Sequence, residues 1–81
     1  MKMLTYTIVV HSADPDETGF WVEVPALPGC VTQGETYEEA VQMAQEAIEG
    51  YLEALVKAGQ PIPEEPAPLV SRVTVKTPIA V

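Results

Sequence analysis

Cations are scarce in this 81-residue chain: four Lys and Arg stand against twelve Asp and Glu, a net charge of -8. Nucleic-acid affinity comes largely from cations that displace the counterions of the phosphate backbone. So acidic a domain is therefore not expected to bind DNA or RNA directly. The same field attracts and steers a basic protein, although acidity also simply keeps small domains soluble. Cysteine is nearly absent as well. Cys30 is the only one, so the chain has no internal disulfide, and a lone thiol fits a reducing cytoplasm. Long apolar runs are missing too. The opening "MKMLTYTIVVHS" has a basic residue, but its apolar residues alternate with Thr and then stop, unlike a signal peptide. Nothing approaches the ~20 apolar residues of a membrane span. The length predicts one domain over residues 1–81. A domain this small buries only about 60–65% of the surface its unfolded chain exposes. Association with copies of itself, as a dimer or tetramer, or with another protein is expected to complete it.

What is present is a clear succession of periodicities. In "LTYTIVV", Leu4, Tyr6, Ile8 and Val10 share one face and Thr5 and Thr7 the other, the period of a half-buried strand. "HSADPDETG" reads as a loop between paired strands. "FWVEV" resumes the alternation, with Phe20, Val22 and Val24 on one face and Trp21 and Glu23 on the other. Pro25 and Pro28 then interrupt the ladder, since neither can donate a backbone hydrogen bond. A short strand around "CVTQ" follows. Thr36, three residues before Glu39, forms a capping-box start, and Glu38 adds negative charge at the positive end of the dipole. Tyr37, Ala40, Val41, Ala44, Ile48, Tyr51, Leu52 and Leu55 then recur at helical spacing, up to Lys57 and a stop at Gly59. "QPIPEEPAP" is a stiff connector, and "LVSRVTVKT" alternates again as a fourth strand. The predicted order is β-β-β-α-β: an α+β domain in which an antiparallel meander and a fourth strand carry one helix on one face.

Little of this resembles catalytic machinery. Cys30 would need a base and an electropositive setting to act as a nucleophile, yet its surroundings are acidic and a small packing residue is the expected role. His11 with Asp14, Asp16 and Glu17 reads as ordinary turn chemistry, without the spaced ligand pairs of a zinc site. No cofactor or metal is called for. A two-metal site needs carboxylates converging on rigid positions, and Glu23 is the only acid within a strand. Trp21 is the one aromatic on the sheet's second face. It suits either an interface anchor or a minor core beneath loops.

The stretch "GFWVEVPALPGCVTQGETYEEAVQMAQEAIEGYL" resembles the signature of the HicB-like family, the antitoxin side of HicA/HicB toxin–antitoxin systems. The matching positions are Pro25, Leu27, Pro28, Gly29, Cys30, Thr32, Gly34, Glu35, Thr36, Glu38, Glu39 and Ala40, followed by Ala47, Gly59, Ile62 and Pro63. The resemblance implies a partial, degenerate RNase H-like fold. It also implies a partner: a small, basic, RNA-cleaving toxin whose catalytic histidine the antitoxin covers. Many such proteins carry a C-terminal helix-turn-helix or ribbon-helix-helix domain that binds operator DNA; with the fourth strand reaching residue 77 of 81, no such domain is expected here. In this reading the Pro-Gly-Cys run is a fold signature that turns the chain.

Taken together, the expectation is a cytoplasmic, non-catalytic interaction domain that neutralises a HicA-type toxin through Trp21, Glu23, Gln33 and Glu35, on or beside the open sheet face. Two other readings stand beside it. One is a solitary homo-oligomer, and the other is a residual metal-dependent nuclease built on Glu23.

Overall fold

The computed structural model describes residues 3–65 and 70–79. Three short strands, β1 (Val9–Ser12), β2 (Phe20–Glu23) and β3 (Val31–Gly34), form an antiparallel sheet in the order β1-β2-β3. A single helix, α1 (Tyr37–Lys57), packs across one face of it. This is the α+β meander that the periodicities predict. The register sets Val10 opposite Val22 and Val22 opposite Thr32, so the inner face of the sheet is apolar along its centre.

The core has two joined parts. Val22, Ala40 and Ala44 are buried together, with Ile8, Val10 and Phe20 packed around them. Val24, Leu27 and Cys30 form the second part beneath Ile48, Tyr51 and Leu52 of α1. Small residues on the helix let it lie close to the sheet, and Gly34 takes this furthest. A Cβ on Gly34 would stand 2.5 Å from the backbone nitrogen of Ala40, inside any tolerable contact. Glycine at position 34 is therefore a condition of the helix–sheet spacing.

The Pro-Ala-Leu-Pro-Gly-Cys run is a hydrogen-bonded corner between β2 and β3. The Leu27 N–H donates to the Val24 carbonyl and the Cys30 N–H to the Leu27 carbonyl, each at 3.0 Å. The Val24 N–H donates to the Cys30 carbonyl at 3.1 Å, which closes the corner onto the sheet. Gly29 has φ +82°, a left-handed conformation that side chains with a Cβ adopt only at a cost. Tyr51 of α1 donates to the Pro28 carbonyl at 2.9 Å and ties the corner to the helix. The turn therefore delivers Leu27, fully buried, and Cys30 into the core.

The helix is capped as its sequence predicts. Thr36 Oγ1 accepts from the Glu39 N–H at 3.0 Å, while Glu39 Oε1 accepts from the Glu35 N–H at 3.1 Å. The return bond of the capping box thus reaches one residue further back than the usual N-cap amide. At the other end the Gly59 N–H donates to the Val56 carbonyl and the Gln60 N–H to the Leu55 carbonyl, the paired bonds of a Schellman stop.

Two expectations need correction. The first strand begins at Val9, not at Leu4. Val9 pairs with Glu23, so earlier residues would run alongside the proline corner, where β2 has ended. Alternation alone shows that Tyr6 and Ile8 face inward, which they do, but not that the backbone beside them has a partner. The fourth strand does not form among the described residues. Residues 70–79 carry no strand and all are exposed, with Val70, Val73, Val75 and Ile79 each at least 69% accessible. Leu69 lies outside the described residues. A strand exists only where a second backbone satisfies its ladder, and among the described residues this segment joins none.

Candidate functional site

Because α1 covers one face only, the other face of the sheet is open. Period two places Val9 and His11 of β1, Trp21 and Glu23 of β2, and Val31 and Gln33 of β3 on it. Trp21 sits at the centre, between His11 and Gln33 across the two ladders, and is 40% exposed. Val9 and Val31 flank Glu23 and are exposed as well. The result is an apolar strip with polar groups inside it, the composition of a protein interface core with its rim close by.

The polar groups are held in place. The imidazole of His11 stacks on the indole of Trp21, with ring centroids 4.0 Å apart and planes 14° from parallel. Its Nε2 lies 2.8 Å from Glu23 Oε2. Trp21 is thus presented in a fixed orientation, which lowers the entropy lost when a partner immobilises it. Glu23 has valines as both of its cross-strand neighbours, and among the described residues no group of three or more His, Cys, Asp or Glu side chains is placed to hold a metal ion. That arrangement does not supply the paired acids that two-metal hydrolysis requires.

At the end of the sheet where Ser12, Phe20 and Gly34 meet, the β1–β2 loop and the start of α1 enclose an open groove of about 480 Å³. Trp21, Gln33 and Glu35 line it, together with Phe20 and Met43. Asp14, Glu17 and Glu39 bring further carboxylates. The loop supplying the first two is a closed turn, with the Glu17 N–H donating to the Asp14 carbonyl at 2.8 Å and the Ala13 N–H to the Gly19 carbonyl at 3.0 Å. A groove lined by both apolar side chains and carboxylates has the chemistry to take Lys or Arg, whose charge suits acids and whose aliphatic stem suits apolar surface.

Of the four residues singled out from sequence, Trp21, Glu23 and Gln33 lie together on the open face. Glu35 stands just past β3, where with Trp21 and Gln33 it lines the groove. Sequence reasoning missed His11, assigned there to the loop, and also Asp14, Glu17, Glu39 and Met43. A signal for His11 was available. It keeps the phase of Val9, and the length of the hairpin sets it opposite Trp21. Cys30 is buried, and desolvation pushes its thiol pKa up, which disfavours the thiolate that a nucleophile needs. It is a packing residue.

Fold and site together define a small α+β domain with an uncovered sheet face and an acidic groove, suited to a protein partner. Comparison with known sequences places it more closely. The family described as HicB_like antitoxin of bacterial toxin-antitoxin system matches residues 6–77, and the chain belongs to that family. It is similar to a UPF0150 protein of Thermoplasma acidophilum, 45% identical over 65 residues that span 79% of this chain and 90% of the relative. A UPF0150 protein of Synechocystis is 49% identical over 64 residues, 79% of this chain and 78% of the relative. One of Archaeoglobus fulgidus is 43% identical over 51 residues, 62% and 70% of the two chains. No described helix is long and apolar enough to cross a membrane.

Proposed function

We propose that this chain is the antitoxin of a HicA-type pair: a non-catalytic, partially RNase H-like module that binds a small basic ribonuclease toxin and blocks its active site. Family membership supports an antitoxin role. The observation that carries the rest is the continuity of the open sheet face with the acidic groove, both sharing Trp21 and Gln33. Trp21 is the apolar anchor, held by His11. Glu23 and Glu35 meet basic side chains at the rim, and Gln33 hydrogen-bonds beside the indole. Such a surface attracts a basic protein and repels the toxin's RNA substrate, so occupation and exclusion act in the same direction. The domain itself makes no contact with nucleic acid in this reading and works in the cytoplasm.

The test is rescue of growth. Cells expressing a HicA-type toxin from the same genome should recover when this chain is co-expressed, and the two proteins should co-purify. Trp21→Ala should abolish rescue while leaving the helical circular dichroism intact, because loss of a central aromatic anchor costs about 2 kcal/mol or more. Rescue by Trp21→Ala equal to that of the parent chain would sink this assignment of the face.

A further inference from the structure

Trp21 is the only tryptophan of the chain and stands at the centre of the open face, 40% exposed. Its surroundings differ on the two sides of β2. Toward β1 the indole is backed by His11, whose ring is stacked on it at 4.0 Å. His11 in turn is held by Glu23, with Nε2 and Oε2 2.8 Å apart. Neither His11 nor Glu23 lines the groove, whereas Gln33, the cross-strand neighbour on β3, does. The indole therefore divides two environments. One side is fixed by the stack, and the surface left uncovered forms part of the groove wall.

The charge in the groove is of one sign. Asp14 and Glu17 come from the β1–β2 loop and Glu35 from the junction of β3 and α1. None of the residues that line the groove is Lys, Arg or His. Among the described residues, no cationic side chain lies within ion-pair distance of these three carboxylates. The fourth acid, Glu39, already accepts from the Glu35 N–H at 3.1 Å. Carboxylates gathered around one concavity repel each other, and a bound cation relieves that repulsion.

Of the two cationic side chains a protein can offer, the groove favours one. Lys ends in a compact ammonium that holds its water strongly, and an open groove does little to displace that water. The Arg guanidinium is flat, more weakly hydrated, and carries its N–H donors in a rigid fork. Its plane stacks on an indole while its edge donates to carboxylates, both in the same pose. Trp21 and the three acids supply both kinds of surface, and Phe20 and Met43, which line the same groove, suit the aliphatic stem. The volume of about 480 Å³ has room for such a side chain and falls within the size of small-ligand clefts. A nucleobase could also stack on an indole, but the carboxylates repel the phosphates that come with it.

We infer that the groove receives one arginine side chain of a basic protein partner, its guanidinium stacked on the groove side of Trp21 and bonded to the carboxylates of Asp14, Glu17 and Glu35. His11 and Glu23 hold the indole from behind, so the stacking wall is set before the partner arrives. The partner is the basic protein of the antitoxin reading, on which this assignment rests.

The test uses the full chain, with Trp21 emission as a signal from the site itself. The probes are acetylated Gly-Gly-Arg-Gly-Gly amide and its lysine and citrulline counterparts, titrated at fixed ionic strength. The arginine peptide should change the emission saturably and bind about threefold or more tighter than the lysine peptide. The citrulline peptide, which keeps the shape without the charge, should leave the emission unchanged. Asp14→Asn, Glu17→Gln and Glu35→Gln together should weaken binding of the arginine peptide about fivefold or more, with unchanged helical circular dichroism. The same triple variant should bind a HicA-type toxin about tenfold less tightly than the parent chain does. Arginine bound no better than lysine or citrulline overturns the assignment. So does a triple variant that takes the arginine peptide, or the toxin, as tightly as the parent, or a stronger response to oligouridylate than to the arginine peptide. A parent chain that binds the arginine peptide but no toxin would contradict the antitoxin reading and leave the arginine seat standing.

Discussion

At the scale of single residues, the corner and the close helix contact carry the family signature for steric reasons. Gly34 is the sharpest case, because a methyl group there would overlap the Ala40 backbone, which cannot move without lifting the helix. Gly34→Ala is expected to destabilise the domain by about 1–3 kcal/mol, the usual cost of overpacking, read as a lower urea midpoint at unchanged slope. Cys30 gives a prediction in pH. Burial raises its thiol pKa in the folded state, so the unfolded chain loses this proton first as pH rises. Stability is full below the ordinary thiol range, near pH 8.5, and falls through and above it. Tyr6 adds a later decline of the same sign, since burial and then the charges of Glu64 and Glu65 raise its phenol pKa. Urea midpoints measured from pH 7 to 10.5 should fall, and Cys30→Ala should remove the earlier part of the fall. A flat profile in the parent chain would contradict the buried thiol. Residue types alone did not reveal the pairing of His11 with Trp21 and Glu23. It depends on hairpin register, and the Asp- and Pro-rich loop beside His11 drew that residue into the turn.

At the scale of elements, the helix was the most legible because its signals are local. Capping residues, stripe and stop all act within a few positions of one another. Thr36→Ala should cost about 1 kcal/mol through loss of the bond to the Glu39 amide, measurable as a shift in thermal midpoint with no change in the open face. The strands were legible in their facing but less so in their pairing. Alternation reports which side of a residue is apolar, and Tyr6, Ile8, Val22 and Val24 do turn inward. Whether a backbone has a neighbour is a non-local property. That is why the first strand proved shorter than its pattern and why "SRVTVK" carries a strand's composition without a ladder. The groove was invisible for the same reason. Asp14, Glu17, Glu39 and Met43 come from two separate parts of the chain and meet only once the helix crosses the end of the sheet.

At the scale of the whole molecule, the domain is small, acidic and open. Six apolar residues are buried among those described, a modest core for a single chain, while Val9, Trp21 and Val31 remain on the outer face. An antitoxin stabilised further by its toxin has a simple use for this economy, since a ligand that binds only the folded state raises its stability by mass action. The thermal midpoint should therefore rise when a HicA-type toxin is added, and the rise should shrink with salt because the attraction between acidic body and basic partner is screened. The measurement closest to the central claim is calorimetric titration of such a toxin into this chain at about 50 and 500 mM salt. The account predicts saturable binding with one toxin per chain, weakened roughly tenfold or more at the higher salt. No binding at the lower salt, or an affinity that salt leaves unchanged, would contradict it.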